Sequence, residues 1–260
     1  QGDIYNQTSV SSSGGYYDAT EGTVVWNKEK EVRFGVVEPG ESGTLNFSFA
    51  TLPVAIDPAS FKNPQMFIEV TAKGRRLDER GASQNVVSTV TKELKISTAL
   101  SLSARLLHDT GAFENVGSVP PKVGEETTYT VVWALSNTSN GVGNARVSAV
   151  LPSYVKWLGQ VDPSDEDVSY NPVGGEVVWK AGEVEAGDGV GSAPREVSFQ
   201  LSITPGQGQV GAAPTLIGEV TAKGTDRFTG VEVTSGVRPA LTTKSLNDTD
   251  TGGTSGAVTP

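Results

Sequence analysis

Apolar and polar residues alternate along this chain in short runs that are separated by turn residues. In residues 45–49, LNFSF, the alternation is strict, so Leu45, Phe47 and Phe49 share one face of a predicted strand that we expect to be buried. Pro-Gly, Leu-Pro and Lys-Gly pairs end successive runs, as turns require. In the first third of the chain, this pattern predicts strands at residues 23–26, 31–37, 44–50, 66–73 and 85–91.

The strongest strand signal lies further along, at residues 127–135. This run, TTYTVVWAL, places Tyr129, Val131 and Trp133 on one face and is rich in β-branched and aromatic residues. Residues 94–238 show no helical periodicity, and residues 54–65 are predicted to be a long connection with room for one short helical turn. The pattern therefore predicts an all-β fold of immunoglobulin-like sandwiches, with further strands at 94–107, 145–151, 155–158, 176–180, 196–203, 216–223 and 231–235.

Two motifs occur twice, which indicates that one structural unit is repeated in tandem. Residues 17–26, YDATEGTVVW, and 170–179, YNPVGGEVVW, share five of ten positions, and EVTAKG occurs at both 69–74 and 219–224. We expect Trp26 and Trp179, at the ends of the longer motif, to be core residues. The repeat predicts a complete sandwich at 94–238 and a partial unit at 1–93 that lacks its first strands.

The same comparison predicts an open face on the first unit. The counterpart of residues 94–153 is missing from it, so the side chains of Trp26, Leu45, Phe47 and Phe49 need cover from another chain or from further sequence. Residues 239–260 resemble residues 100–121 and are predicted to open a further unit or to be a strand donated to a neighbour. Two explanations stay open: a window on a longer tandem array, or strand addition between subunits.

Composition narrows the classes of function and partner. The net charge of −10 argues against a nucleic-acid partner, and no apolar run is long enough for membrane insertion in this segment. The absence of cysteine excludes disulfides and thiolate metal sites. The first residue is Gln rather than Met, so we expect the chain to be processed or excised from a longer one.

Four stretches of the second unit resemble the conserved-repeat Ig-like family of bacterial and archaeal cell-surface proteins. They read KVGEETTYTVVWALSNTS, NARVSAVLPSYVKWLG, GGEVVWKAGEVEAGD and EVSFQLSIT. The residues that match the family pattern are Val123, Gly124, Tyr129, Asn137, Leu151, Pro152, Trp179 and Gly182. The resemblance covers residues 94–238 fully and the later half of the first unit, from residue 22 to about residue 91. It implies tandem β-sandwiches in an extracellular, non-enzymatic protein, but loops 159–169 and 185–195 depart from the pattern.

No residue pattern in the sequence specifies a catalytic site or a cofactor. His108, the only histidine, precedes Asp109, but no GxSxG motif supplies a nucleophile, so we expect a loop residue and no enzyme. Acidic residues crowd two loops, and oxygen ligands beside a glycine suit calcium, although solvated acidic loops are commoner. The weak calcium candidates are Asp162, Asp165, Asp167, Asp248 and Asp250. Four asparagines, Asn6, Asn46, Asn137 and Asn247, begin glycosylation sequons, and we expect Asn137 to cap a turn instead.

The sequence thus predicts a structural module of an extracellular stalk, fibre or filament at the cell surface. Its predicted partners are copies of itself or adjacent repeats of the same polypeptide. The alternative is an adhesin that recognises a glycan or a cell-surface protein through loops 159–169 and 185–195.

Overall fold

The computed structural model describes residues 4–52, 62–77, 82–248 and 256–260. All strand pairs in these ranges are antiparallel, and the helical elements there are short 3-10 turns such as Val32–Phe34 and Gln207–Gln209. The all-β prediction is confirmed. The described residues divide into two compact units: 4–52, 64–77 and 82–96 form the first, and 62–63, 97–248 and 256–260 form the second.

The second unit is a closed two-sheet sandwich. One sheet has the strand order β10-β13-β8-β7 and the other has the order β11-β12-β9-β15-β16, while β14 and β17 form a separate pair. The strands are β7 (Leu100–Leu107), β8 (Thr127–Asn137), β9 (Val142–Val150), β10 (Val155–Asp162), β11 (Asp167–Asn171), β12 (Glu176–Val184), β13 (Arg195–Ile203), β14 (Thr215–Ile217), β15 (Thr221–Asp226), β16 (Glu232–Thr234) and β17 (Leu241–Thr242).

Aromatic side chains from both sheets fill the core of the second unit. Trp133 on β8 packs edge-on against Phe199 on β13, with ring centroids 4.8 Å apart. Trp179 on β12 is fully buried in the same apolar cluster. Nearly every residue of β8 is buried on both faces, as its apolar sequence predicts for a central strand.

The described residues of the first unit form three separate two-stranded pairs. The pairs are β1 with β4, β2 with β3, and β5 with β6, and they do not close into a sandwich. Their bounds are β1 (Tyr5–Ser12), β2 (Tyr16–Asp18), β3 (Thr23–Val25), β4 (Phe47–Thr51), β5 (Gln65–Leu77) and β6 (Ser83–Lys95). The prediction that the first sandwich is incomplete within this chain is confirmed.

The two units nevertheless share one strand plan. Tyr17 pairs with Val24 in the first unit, and Tyr170 pairs with Val177 in the second, at the same positions of the repeated motif. The turn between these strands contains Gly22 with φ 64° in one unit and Gly175 with φ 67° in the other, and this left-handed conformation favours glycine. The pair β1–β4 corresponds to β10–β13, because β1 and β4 lie before and after β2–β3 in the chain as β10 and β13 lie before and after β11–β12. Both pairings are also interrupted by a register shift.

Several strand predictions differ from the structure. Residues 31–37 form a 3-10 turn instead of a strand, because the Glu31 side chain accepts from the backbone and guanidinium of Arg33 and closes a tight turn. Strand β1 was not predicted, since its sequence YNQTSVSS is too polar to show an apolar face. The predicted strand at 216–223 is divided between β14 and β15, and the one at 94–107 between β6 and β7.

The described part of residues 239–260 packs on the second unit. Leu241 on β17 pairs with Ile217, Leu246 bridges Leu106 in parallel, and Val258 is buried beside Val210. This differs from the expectation that residues 241–246 pair with a neighbour, because apolar sites on the same unit accept these side chains. The assignment of 239–260 to a further unit stays a prediction.

Matched phenylalanines in the two units test this description. Replacing Phe199 by Ala should lower the free energy of unfolding by about 3–5 kcal/mol, because the ring is fully buried against Trp133. Phe47→Ala, at the corresponding position of β4, should cost less than about 1 kcal/mol since its ring is 38% exposed. Urea denaturation measures both, and equal losses would contradict the difference in packing.

Candidate binding surface

The first unit exposes apolar side chains whose counterparts in the second unit are buried. We call the side chains of Trp26, Leu45, Phe47 and Phe49 the open face. Leu45 and Phe47 are 39% and 38% exposed, while Trp26 and Phe49 are half-buried. At the corresponding positions of the second unit, which are Val197, Phe199, Leu201 and Trp179, nothing is exposed.

Aromatic contacts hold the open face together without covering it. Phe47 stacks on Phe49 and packs against Trp26, with ring centroids 6.2 Å apart in both pairs. The indole nitrogen of Trp26 donates to the backbone oxygen of Ser13 at 2.9 Å, so its polar edge is satisfied. What remains accessible is therefore apolar ring surface, which is suited to bind apolar side chains.

The β5–β6 hairpin also has an uncovered apolar side. Val70 is paired with Val90 on the same side of the hairpin, and these residues are 56% and 66% exposed. In the second unit, Val220 holds the position of Val70 in the repeated EVTAKG motif and is fully buried. The hairpin thus adds apolar surface to that of the open face.

Glu166 connects the two loops that the sequence singles out for recognition. Its carboxylate accepts from the indole nitrogen of Trp179 at 2.8 Å and forms an ion pair with Arg195, while only 5% of its side chain is exposed. The sequence places Glu166 among acidic loop residues that we expect to be solvated, and its partner Trp179 is 13 residues away along the chain, so no local pattern indicated the buried role. The contact fixes loop 159–169 against the end of loop 185–195.

The other acidic residues of this loop stay on the surface. Asp167 forms an ion pair with Lys180, and Asp162 and Asp165 are exposed. Among the residues that the structure describes, no three histidine or acidic side chains gather in a metal-binding cluster. Asp250 lies outside the described residues. Calcium binding at these positions stays a prediction.

Asp248 has a structural role that the sequence did not indicate. Its carboxylate accepts from the backbone N–H groups of His108, Asp109 and Thr110, and from the Thr110 hydroxyl, at 2.7–3.1 Å. Although burial raises the pKa of this carboxyl, these hydrogen bonds outweigh it and hold the pKa below its ordinary value. A calcium ion at Asp248 would have to compete with these donors.

A buried polar cluster binds the start of the second unit to its far strands. Asp226 is fully buried and accepts from the backbone of Thr98 and the side chain of Asn140, both at 2.8 Å. Burial raises the pKa of Asp226. The hydrogen bonds that its carboxylate accepts have the larger effect, so the pKa lies below its ordinary value. Asn137 is buried beside it and donates to backbone carbonyls, which confirms its turn-capping role.

The comparisons with known proteins give distant structural likeness only. No family model matches the chain, and no curated protein does. The fold is similar to the major pilin SpaD of Corynebacterium diphtheriae, at TM-score 0.33 and 11% identity over 62% of this chain and 52% of that one. It is similar to the major pilin subunit BcpA of Bacillus cereus, in a variant form, at TM-score 0.32 and 11% identity over 80% and 51%.

A third likeness is to the C-terminal domain of the AgI/II polypeptide BspA of Streptococcus agalactiae. Its TM-score is 0.31 and its identity 14%, over 90% of this chain and 80% of that one. This chain spans about half the length of the two pilin subunits. Similarity at this level carries no argument about function. Within the described ranges there is also no helix with the length and apolar character needed to cross a bilayer.

The Asp248 contacts lead to a pH-dependent prediction. Asp248→Asn should lower the free energy of unfolding of the second unit by about 1–3 kcal/mol at neutral pH, because charge-assisted hydrogen bonds to the 108–110 turn are lost. The folded-state pKa lies below the ordinary 3.8, so this stabilisation is complete above pH 3.8 and is lost as the pH falls through the folded-state value.

Chemical denaturation at neutral pH and at pH values below 3.8 measures this effect. The control is Asp165→Asn, which removes an exposed carboxylate from the 162–167 turn and should change stability by less than about 0.5 kcal/mol. An equal loss in both variants, or a loss that persists in acid, would contradict the assigned role.

Proposed function

We propose that this chain is a structural, non-catalytic module of an extracellular stalk, fibre or filament at the cell surface. The observation that carries the proposal is the shared strand plan of the two units, with the same pairing register at Tyr17 and at Tyr170. Units repeated in tandem are the usual way to build elongated proteins from small folds. The open face adds that the first unit needs a neighbouring segment to be complete.

Charge and local bonding agree with a structural role. The net charge of −10 repels nucleic acid and anionic surfaces. The single histidine, His108, bonds through Nδ1 to the adjacent Asp109, and its backbone lies in the turn that Asp248 holds. Such contacts stabilise a loop, and they provide neither a nucleophile nor an oxyanion hole.

An adhesin that binds a glycan or protein is the second candidate. The observation that favours it is the Glu166 contact with Arg195, because it fixes loops 159–169 and 185–195 near one another on a rigid sandwich. Recognition is often carried by loops held in this way. Exposed side chains on these loops include those of Asp165 and Val190.

Electron microscopy of native cell-surface material, labelled with an antibody against the second unit, distinguishes these functions. We expect label along extended rods or filaments, because the module is part of their length. Label on compact, isolated particles would contradict the structural proposal.

Loop exchange tests the adhesin separately. Replacing residues 163–165 and 186–193 by Gly/Ser segments leaves Glu166 and Arg195 in place, so the sandwich should stay folded. If the chain is an adhesin, binding to a glycan or cell-surface array should be lost in this variant and kept in Asp248→Asn. Equal binding by the exchanged and unexchanged proteins would count against recognition by these loops.

A further inference from the structure

The first unit contains the strand pairs of a sandwich, but three positions in it are empty. Its pairs β2–β3, β1–β4 and β5–β6 correspond to β11–β12, β10–β13 and β15–β16 of the second unit. In the second unit, β9 lies between β12 and β15, and β8 lies beside β13 with β7 as its outer neighbour. Within the described residues, no strand holds the corresponding places beside β3, β4 and β5.

The second unit shows which residues cover the counterparts of the open face. Val147 of β9 pairs with Trp179 on one edge of the strand and with Ala222 of β15 on the other. Phe199 lies beside Val131 of β8 and against Trp133. Strands β8 and β9 therefore supply the apolar cover that Trp26 and Phe47 lack.

Within the part of the chain that the structure describes, the turn at Gly22 has no close backbone neighbour of the kind found at Gly175. A Cβ on Gly175 would lie 2.6 Å from the backbone oxygen of Leu151, and Leu151 donates its N–H to Gly175 at 2.8 Å. Gly22 has the same backbone conformation, but among the described residues the atom nearest to a Cβ there would be the Tyr5 hydroxyl, at 3.6 Å. In the second unit, Leu151 follows β9 and packs against the Gly175 turn. The first unit has the same turn at Gly22.

We infer that the first unit binds a three-strand segment of the β7–β9 type, supplied by further sequence of the same polypeptide. The inference names the partner within the proposed function and rests on it. In the second unit, β9 ends at Val150 and β10 begins at Val155, so a very short link joins them. Because β1 is the counterpart of β10, a β7–β9 segment placed ahead of residue 1 reaches its place by a link that is longer only by residues 1–3.

A second copy of residues 1–260 cannot fill the empty places in every unit. Each copy has two units that need a β7–β9 segment and contains one such segment. That segment is already part of the core of its own second unit. Val131 and Val147 are fully buried, and both β8 and β9 are paired at both edges. If a copy donated its β7–β9 segment, its own second unit would lose that segment. The apolar area exposed there would equal the area covered in the recipient.

A fusion protein tests this inference. A copy of residues 98–153 is placed ahead of residue 1 of the full chain, and backbone hydrogen exchange is measured by mass spectrometry. We expect the amides of β3, β4 and β5 to exchange at least about ten-fold more slowly than in the unfused chain, because they gain strand partners and apolar cover. The matched control has Val147→Asp in the fused copy alone, which places a charge where apolar contact is needed, and it should restore fast exchange.

Each outcome of the exchange experiment either supports the inference or overturns it. Unchanged exchange in β3–β5, while β13, which occurs once in the fusion protein, stays protected, overturns the inference. If the direct fusion does not fold, a second fusion with a Gly/Ser linker of about ten residues removes any strain at the junction, and it is judged by the same criteria. Protection that appears in the unfused chain as its concentration rises would show a second copy as the occupant and overturn the proposed source. Filaments in native material together with unchanged exchange would refute this inference and leave the proposed function intact.

Discussion

Burial of the central strands β8 and β9 is the constraint on which the rest of the structure depends. Each strand is hydrogen-bonded on both edges, and each contributes side chains to the layer between the sheets. Trp133 of β8 meets Phe199, and Val147 of β9 lies beside Trp179. A protein core is close-packed, so removing either strand exposes several large side chains at once.

The described residues of the first unit contain no counterparts of β8 and β9. The unit has the outer pairs of the same sandwich, and the hydrogen-bond register of β2–β3 agrees with that of β11–β12 in the second unit. Local sequence is therefore sufficient to set each two-stranded pair, including the left-handed glycine of the turn. It is not sufficient to bring the sheets into a closed core, since isolated pairs bury too little apolar surface to be stable alone.

Polar contacts determine how the ends of the second unit are held. Asp248 binds the 108–110 turn, and Asp226 binds the backbone at Thr98, so two carboxylates connect chain segments that are far apart in sequence. Each compensates its desolvation with several hydrogen bonds from nearby donors. Such contacts also explain why residues after 239 lie on the second unit, since Asn247 exchanges hydrogen bonds with Leu106 there.

Much of the fold could be predicted from local patterns, because strands with a strong apolar signal depend little on their partners. Residues 127–135 and 196–203 are examples, and the repeated motifs identified the tandem arrangement. Strand β1 could not be predicted, because its polar sequence becomes a strand only by pairing with β4. The roles of Glu166 and Asp248 could not be predicted either, because their partners, Trp179 with Arg195 and the 108–110 turn, are brought near by tertiary folding.

The open face carries residues that occupy buried positions in the second unit. Trp26 and Trp179 are the same residue at the same place in one motif, and Val70 and Val220 likewise, yet one of each pair is exposed or half-buried and the other is fully buried. Leaving a large apolar side chain exposed forgoes about 1.5–3 kcal/mol. Four such side chains approach the net stability of a whole domain, which is about 5–15 kcal/mol. A sequence that keeps these side chains, their alternation and the Gly22 turn is therefore suited to an interior, and the segment that completes that interior determines whether the first unit is a stable fold.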